Sequence, residues 1–139
     1  MILCDTGVLV TIVDRRQPQH DAYRQAITRY GSPLLTTWAC LTEAMYLTHR
    51  LGGWTMQQQL GQLLLKGGLT VHAIDSAQQI VRLLALMEQY RDRPMDIADA
   101  TLVLTAEETG YRQILTLDSD FLFYRIHNRE SFDVMSVEE

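Results

Sequence analysis

At 139 residues and 47% hydrophobic, with no Pro/Gly/Ser-rich linker, the chain is sized for one domain with a substantial core, spanning residues 1–139. A net charge of −5, a pI of about 5.3 and the lack of any Lys/Arg run exclude a basic nucleic-acid-binding arm and a polybasic membrane patch. The two cysteines, Cys4 and Cys40, are too few for a disulfide scaffold and lack metal-ligand spacing, and no apolar run approaches about 18 residues, so a soluble cytoplasmic protein is expected.

The first segment, "MILCD", is apolar and short, and predicts a strand with Asp5 at its carboxyl end; "GVLVTIVD" follows at once. "PQHDAYRQAITRYGSP" places Ala22, Tyr23, Ala26, Ile27 and Tyr30 at helical spacing between a proline and a glycine, which predicts an amphipathic helix. "PLLTT" reads as a second strand. "WACLTEAMYLTHRLGG" then reads as a helix that carries Glu43 and is ended by its glycine pair. "TMQQQLGQLLLKGG" predicts another helix, opened by Thr55 and closed by Gly67 and Gly68, before a third strand, "LTVHAI".

"DSAQQIVRLLALMEQY" has a capping acid and an apolar stripe at Ile80, Leu83, Leu84 and Met87. "PMDIADATLVLTAEETG" reads as a central helix, apolar on nearly every side. "QILTLD" predicts a strand, "SDFLFY" a short helix and "FDVMSV" a last strand. Strands separated by helices indicate an α/β domain with a mostly parallel sheet and helices on both faces. In such sheets the strand carboxyl ends and the starts of the following helices share one rim, where ligands bind.

Several acids fall at positions that lead to that rim. Asp5 and Asp118 end strands, Glu43 lies early in a helix, and Asp96 and Asp99 open the central helix. Each has a plainer reading as a cap or solvated acid. Asp96 fits an N-cap after Pro94, but Asp99, three residues on and on the same face, is left without that role. Asp120, in "DSDF", reads as an N-cap or first-turn acid. Carboxylates brought together repel unless a cation offsets them, and an all-oxygen set without a His/Cys cluster favours Mg²⁺ or Mn²⁺. The histidines, His20, His49, His72 and His127, show no paired-ligand spacing and read as structural or surface groups.

With these motifs in hand, the sequence resembles the PIN-domain nucleases, and within them the VapC-like toxin ribonucleases. "ILCDTGVLV" is similar to the family's first acidic strand, "LLTTWACLTEAMY" to its second strand and glutamate helix, "PMDIADATLVLTAEETG" to its third acidic motif and "ILTLDSDF" to its fourth. The resemblance implies a three-layer α/β/α fold and a site of Asp5, Glu43, Asp99 and Asp118, with Asp96 as an extra acid and Thr6 and Thr116 as nearby hydroxyls. It further implies metal-dependent hydrolysis of RNA with Mg²⁺ or Mn²⁺, a homodimer, and a small antitoxin protein as partner.

By this resemblance Asp5, Asp99 and Asp118 would hold the metal, Glu43 would hold a metal-bound water or assist proton transfer, and Glu43 and Asp96 complete the metal-facing set. For RNA such a site could draw on scattered arginines such as Arg15, Arg16, Arg50 and Arg112, or on a dimer groove. The competing expectation is a PIN-like module that binds RNA or protein without cutting. The single "DTG" sits in a helix-rich pattern unlike an aspartic protease. A phosphoryl-accepting receiver domain would need a late lysine, and the one lysine is Lys66.

Overall fold

The computed structural model describes residues 1–137. Strand β1 (Ile2–Cys4) leads into α1 (Thr6–Val13) and α2 (His20–Tyr30); β2 (Leu34–Thr37) leads into α3 (Trp38–Leu65), and β3 (Leu69–His72) into α4 (Ala77–Gln89) and α5 (Ile97–Thr109). Strand β4 (Gln113–Leu115) precedes a 3-10 turn at Ser119–Leu122, a short ribbon of β5 (Arg125–Ile126) and β6 (Glu130–Ser131), and the edge strand β7 (Asp133–Val134). The sheet runs β3-β2-β1-β4-β7 with every pair parallel, and among the described residues only the separate β5–β6 ribbon is antiparallel. This is the three-layer α/β/α fold with a mostly parallel sheet.

The central strands are continuous apolar or β-branched runs because both faces of the sheet are covered. Every residue of β1 and β2 is buried. Leu3 of β1 is in register with Leu35 on one side and Ile114 on the other. Helix α5 is buried all round, with Ala98 and every residue from Ala100 to Ala106 out of solvent. Its buried hydroxyls are satisfied within the helix, Thr101 donating to Ala98 O and Thr105 to Thr101 O.

Four local expectations are revised. The two helices expected around the Gly52–Gly53 pair abut, separated only by Gly53, whose φ of +66° and ψ of −156° suit glycine alone. The second rod resumes without a cap at Thr55, and Gln57 Nε2 reaches back to Met45 O at 3.0 Å. Helix α4 is capped by Ser76 rather than the preceding acid: Ser76 Oγ accepts from Gln79 N while Gln79 Oε1 accepts from Ser76 N. The expected apolar stripe of α4 splits, with Leu83 and Leu86 buried but Ile80 and Leu84 at 50% and 60% exposure. Polar contacts set this rotation, because Gln79 and Arg82 lie on the face turned to α5 and bind Glu108 and Glu107 there. Finally, β4 stops at Leu115, so Asp118 lies beyond the strand and caps the 3-10 turn.

Candidate active site

Parallel topology brings the acids to one edge. Asp5 follows β1 and caps α1, its Oδ1 accepting Val8 N at 3.2 Å. Its Oδ2 accepts the Thr116 hydroxyl, and Thr116 Oγ1 in turn accepts Asp118 N at 2.9 Å, so one threonine links the ends of β1 and β4. Asp118 caps the 3-10 turn through Asp120 N, at 2.9 Å. Asp96 is the N-cap of α5, accepting Asp99 N at 2.8 Å, which frees Asp99 to project from the first turn. Glu43 comes from the second turn of α3, whose start is tied to α1 where Thr6 donates to Cys40 O at 3.3 Å.

Asp5, Glu43, Asp96, Asp99 and Asp118 together line an open pocket of about 320 Å³, bordered by Thr6, Gly7, Cys40, Leu47 and Leu117. Burial, reinforced by the charge of Asp118, pushes the Asp5 carboxyl up to about 6 against the pull of its hydrogen bonds from Thr116 and Val8. Burial also raises Asp99, to about 7; Asp96, Asp118 and Asp5 add to the rise, and only the hydrogen bond from Tyr124 opposes it. Glu43 is raised by burial and by Asp96. Among the described residues no Lys, Arg or His forms an ion pair with any of the five. The pocket holds negative charge without a protein cation to offset it.

Asp120 stands apart from this set. It lies in the first turn beyond Asp118, and Arg93 Nη1 pairs with it at 3.1 Å. Among the arginines proposed from sequence, Arg16 binds Asp14 and Leu51 O, Arg50 stacks on Tyr46, and Arg112 pairs with Glu130. Arg15 and Arg16 follow the far end of α1, about 12 Å along its axis from Asp5, and Arg112 precedes β4 at the edge opposite the acids. None of the four lines the acidic pocket.

Two contributors were not singled out in the sequence. Tyr124, fully buried, donates its hydroxyl to Asp99 Oδ2 at 3.0 Å and is packed edge-on against Tyr90 and Phe121. Nothing in "DFLFY" ranks Tyr124 above its aromatic neighbours, because the contact is made across 25 residues. Arg93 had a weak signal, as the basic residue just before Pro94 and the acidic helix.

The donor set suits a hard divalent cation: carboxylate oxygens, partly desolvated and mutually repelling. Among the described residues no three His, Cys, Asp or Glu side chains already converge as a closed ligand set, so the carboxylates line the pocket without being drawn onto one point.

A parallel α/β/α sheet whose carboxyl edge presents acids from four elements defines the class to which the chain belongs. The PIN domain family model matches residues 2–127, and the chain is a member of that family. It is 30% identical over 118 residues to Ribonuclease VapC26 of Mycobacterium tuberculosis, covering 84% of this chain and 86% of that protein. The crystal structure of Mycobacterium tuberculosis VapC20, described as a Sarcin-Ricin loop cleaving toxin, shares the fold with a TM-score of 0.78. That match covers 86% of this chain and 92% of VapC20 at 17% identity.

Proposed function

We propose that this protein is a metal-dependent ribonuclease that hydrolyses RNA phosphodiester bonds, acting as the toxin of a toxin–antitoxin pair. The observation that carries the reading is the shared pocket of five carboxylates with no cationic partner, in a chain related to a VapC ribonuclease. Asp5, Asp99 and Asp118 would hold Mg²⁺ or Mn²⁺, with Asp96 at the edge of the set. The ion, when bound, lowers the pKa of a water and neutralises charge on the scissile phosphate. Glu43, already raised by its surroundings, accepts a proton from the attacking water at its carboxylate. Thr116 keeps Asp5 and Asp118 in register, and Tyr124 fixes one oxygen of Asp99 while leaving the other for a ligand.

The surface supports the partners proposed here. The exposed Ile80, Val81 and Leu84 on α4 support a homodimer, and the apolar groove of Met45, Trp54, Leu64 and Leu65 supports an antitoxin segment. No helix of the described residues is long and apolar enough to cross a membrane; a single cytoplasmic domain over 1–139 is part of the proposal.

One observation favours the alternative of a PIN-like module that binds RNA or protein without cutting: the carboxylates do not converge as placed. The deciding experiment is cleavage of a total-RNA pool by purified protein in Mn²⁺ or Mg²⁺, with EDTA and an identically prepared Asp5→Asn variant. Products from the wild type alone, abolished by EDTA, support the ribonuclease. Retained RNA affinity without products in either metal supports the binding module, and equal cleavage by both proteins identifies a contaminant.

A further inference from the structure

The acidic pocket leaves a problem that its own residues do not solve. An RNA strand brings a line of phosphates to five carboxylates on a chain of net charge −5. A bound ion neutralises the phosphate being cut, but the neighbouring nucleotides need other holds, normally a cation and an aromatic plane.

Both lie beside the pocket. The guanidinium carbon of Arg93 sits 3.7 Å from the centroid of the Phe123 ring, and Arg93 Nη1 donates to Asp120 Oδ1 at 3.1 Å. Asp120 in turn donates its backbone N–H to Asp118 Oδ1 at 2.9 Å, so two hydrogen bonds tie the Arg93–Phe123 pair to the pocket wall. Tyr124, next in the chain after Phe123, holds Asp99. Phe123 is nonetheless 51% exposed and the Arg93 side chain 42% exposed; Leu122, the chain neighbour of Phe123, is also exposed, and exposed Leu117 lines the pocket.

The plainer role for such a pair is to staple the segment before α5 to the turn after β4. That role is already filled by the edge-to-face contact of Tyr124 with Tyr90 and by Arg125 N, which donates to the Tyr90 hydroxyl at 3.0 Å. A staple would also gain from burial, whereas both members of this pair stay well exposed to solvent. The stack holds a rotamer-rich arginine in place before any ligand arrives, which lowers the ordering cost of binding. Asp120 engages one end of a group with five donors, leaving the others for a phosphate oxygen.

Resting on the ribonuclease reading, we infer that Phe123 and Arg93 form the nucleotide-binding element of the site. A base adjoining the scissile phosphate stacks on the exposed Phe123–Arg93 pair, and Arg93 contacts the phosphate that joins it. Stacking on an aromatic plane tolerates any base, so the element supplies affinity and register along the strand. Phe123 and Arg93 act by positioning RNA and take no part in metal binding.

The test uses a short RNA oligonucleotide carrying a cleavage site mapped in the total-RNA pool. KM and kcat are measured in Mn²⁺ for the wild type, Phe123→Leu, Phe123→Tyr and Arg93→Gln, with Mn²⁺ affinity measured separately without RNA. Phe123→Leu is expected to raise KM about tenfold or more with kcat and Mn²⁺ affinity held, the size of one lost base stack. Phe123→Tyr is expected to restore the wild-type KM, and the added fluorescence of Phe123→Trp to be quenched by the oligonucleotide.

A wild-type KM in Phe123→Leu overturns the inference. So does a fall in kcat and Mn²⁺ affinity together, which marks a merely structural contact, or loss of a protein partner with RNA kinetics intact. Failure of the wild type to cleave or bind RNA in either metal overturns the ribonuclease reading, and this inference with it.

Discussion

Helix α5 carries a pair of acids at each end, and the two ends treat them oppositely. At its start Asp96 and Asp99 meet Asp5, Glu43 and Asp118, and Asp99 is pushed up to about 7. At its finish, burial works to raise Glu107, but the Arg82 guanidinium, at 2.9 and 2.8 Å, and the His127 N–H hold it below the usual carboxylate range. Glu108 is held low by His72 at 2.8 Å and by Gln79.

The helix dipole alone would give the reverse, since it favours acids at the start and opposes them at the end. Partners decide the outcome. One end of the helix spends its charge on packing α4 and the β5–β6 ribbon against the core; the other leaves its charge open to a ligand.

Removing a charge from each end should separate function from stability. Asp99→Asn is expected to reduce RNA cleavage about a hundredfold or more, while the metal-free protein unfolds in urea at an equal or higher concentration than the wild type. Marked destabilisation of the metal-free variant would make Asp99 a structural acid. Arg82→Ala should do the opposite, costing about 2–3 kcal/mol in urea unfolding with kcat retained. This is less than a fully buried pair would lose, because Arg82 keeps some solvent contact. Tyr124→Phe sharpens the boundary between the two roles: losing the hydroxyl on Asp99 is expected to weaken Mn²⁺ binding about tenfold in a calorimetric titration, with the aromatic packing kept.

The same contrast gives a pH dependence of opposite sign at the two ends. Asp5 and Asp99 have folded-state pKa values raised to about 6 and about 7, so between those values and about 4 the folded chain binds more protons than the unfolded one. Stability of the metal-free protein should therefore increase as pH is lowered from about 7 to about 5. The depressed Glu107 and Glu108 contribute stability that is present above their unfolded values and lost as pH falls through their lowered ones. Thermal unfolding across pH should show a maximum on the acid side of neutrality, and a flat profile would remove the electrostatic account of the pocket. The smallest effect is expected for Asp96→Asn, within about 0.5 kcal/mol in stability, because asparagine caps a helix as well as aspartate. A large activity loss with that variant would place Asp96 in contact with the metal.

Much of this could be read in the sequence, and the division has a physical basis. The β1 and β2 runs are apolar because the sheet is covered on both sides, and parallel topology sends Asp5, Glu43, Asp99 and Asp118 to one edge whatever the loops do. The rotation of α4 was not legible, since Arg82 and Gln79 find their partners 25 and 29 residues away and outweigh the hydrophobic period. The β5–β6 ribbon escaped because its strands are two residues long; the Asn128 turn, left-handed at φ +60°, was its one local signal. The Arg93–Phe123 stack joins two segments whose spacing follows from the finished fold alone.

The position of β1 has a consequence for the order in which the chain is made. The second to fourth residues form the middle strand, yet the threonine that binds Asp5 lies 111 residues later. At about 5–20 residues per second, that interval lasts on the order of 5–20 s of synthesis. Throughout it the acids from the two halves of the edge cannot meet. A nascent chain therefore emerges with this acidic edge unassembled, and gains it only after Thr116 has been made.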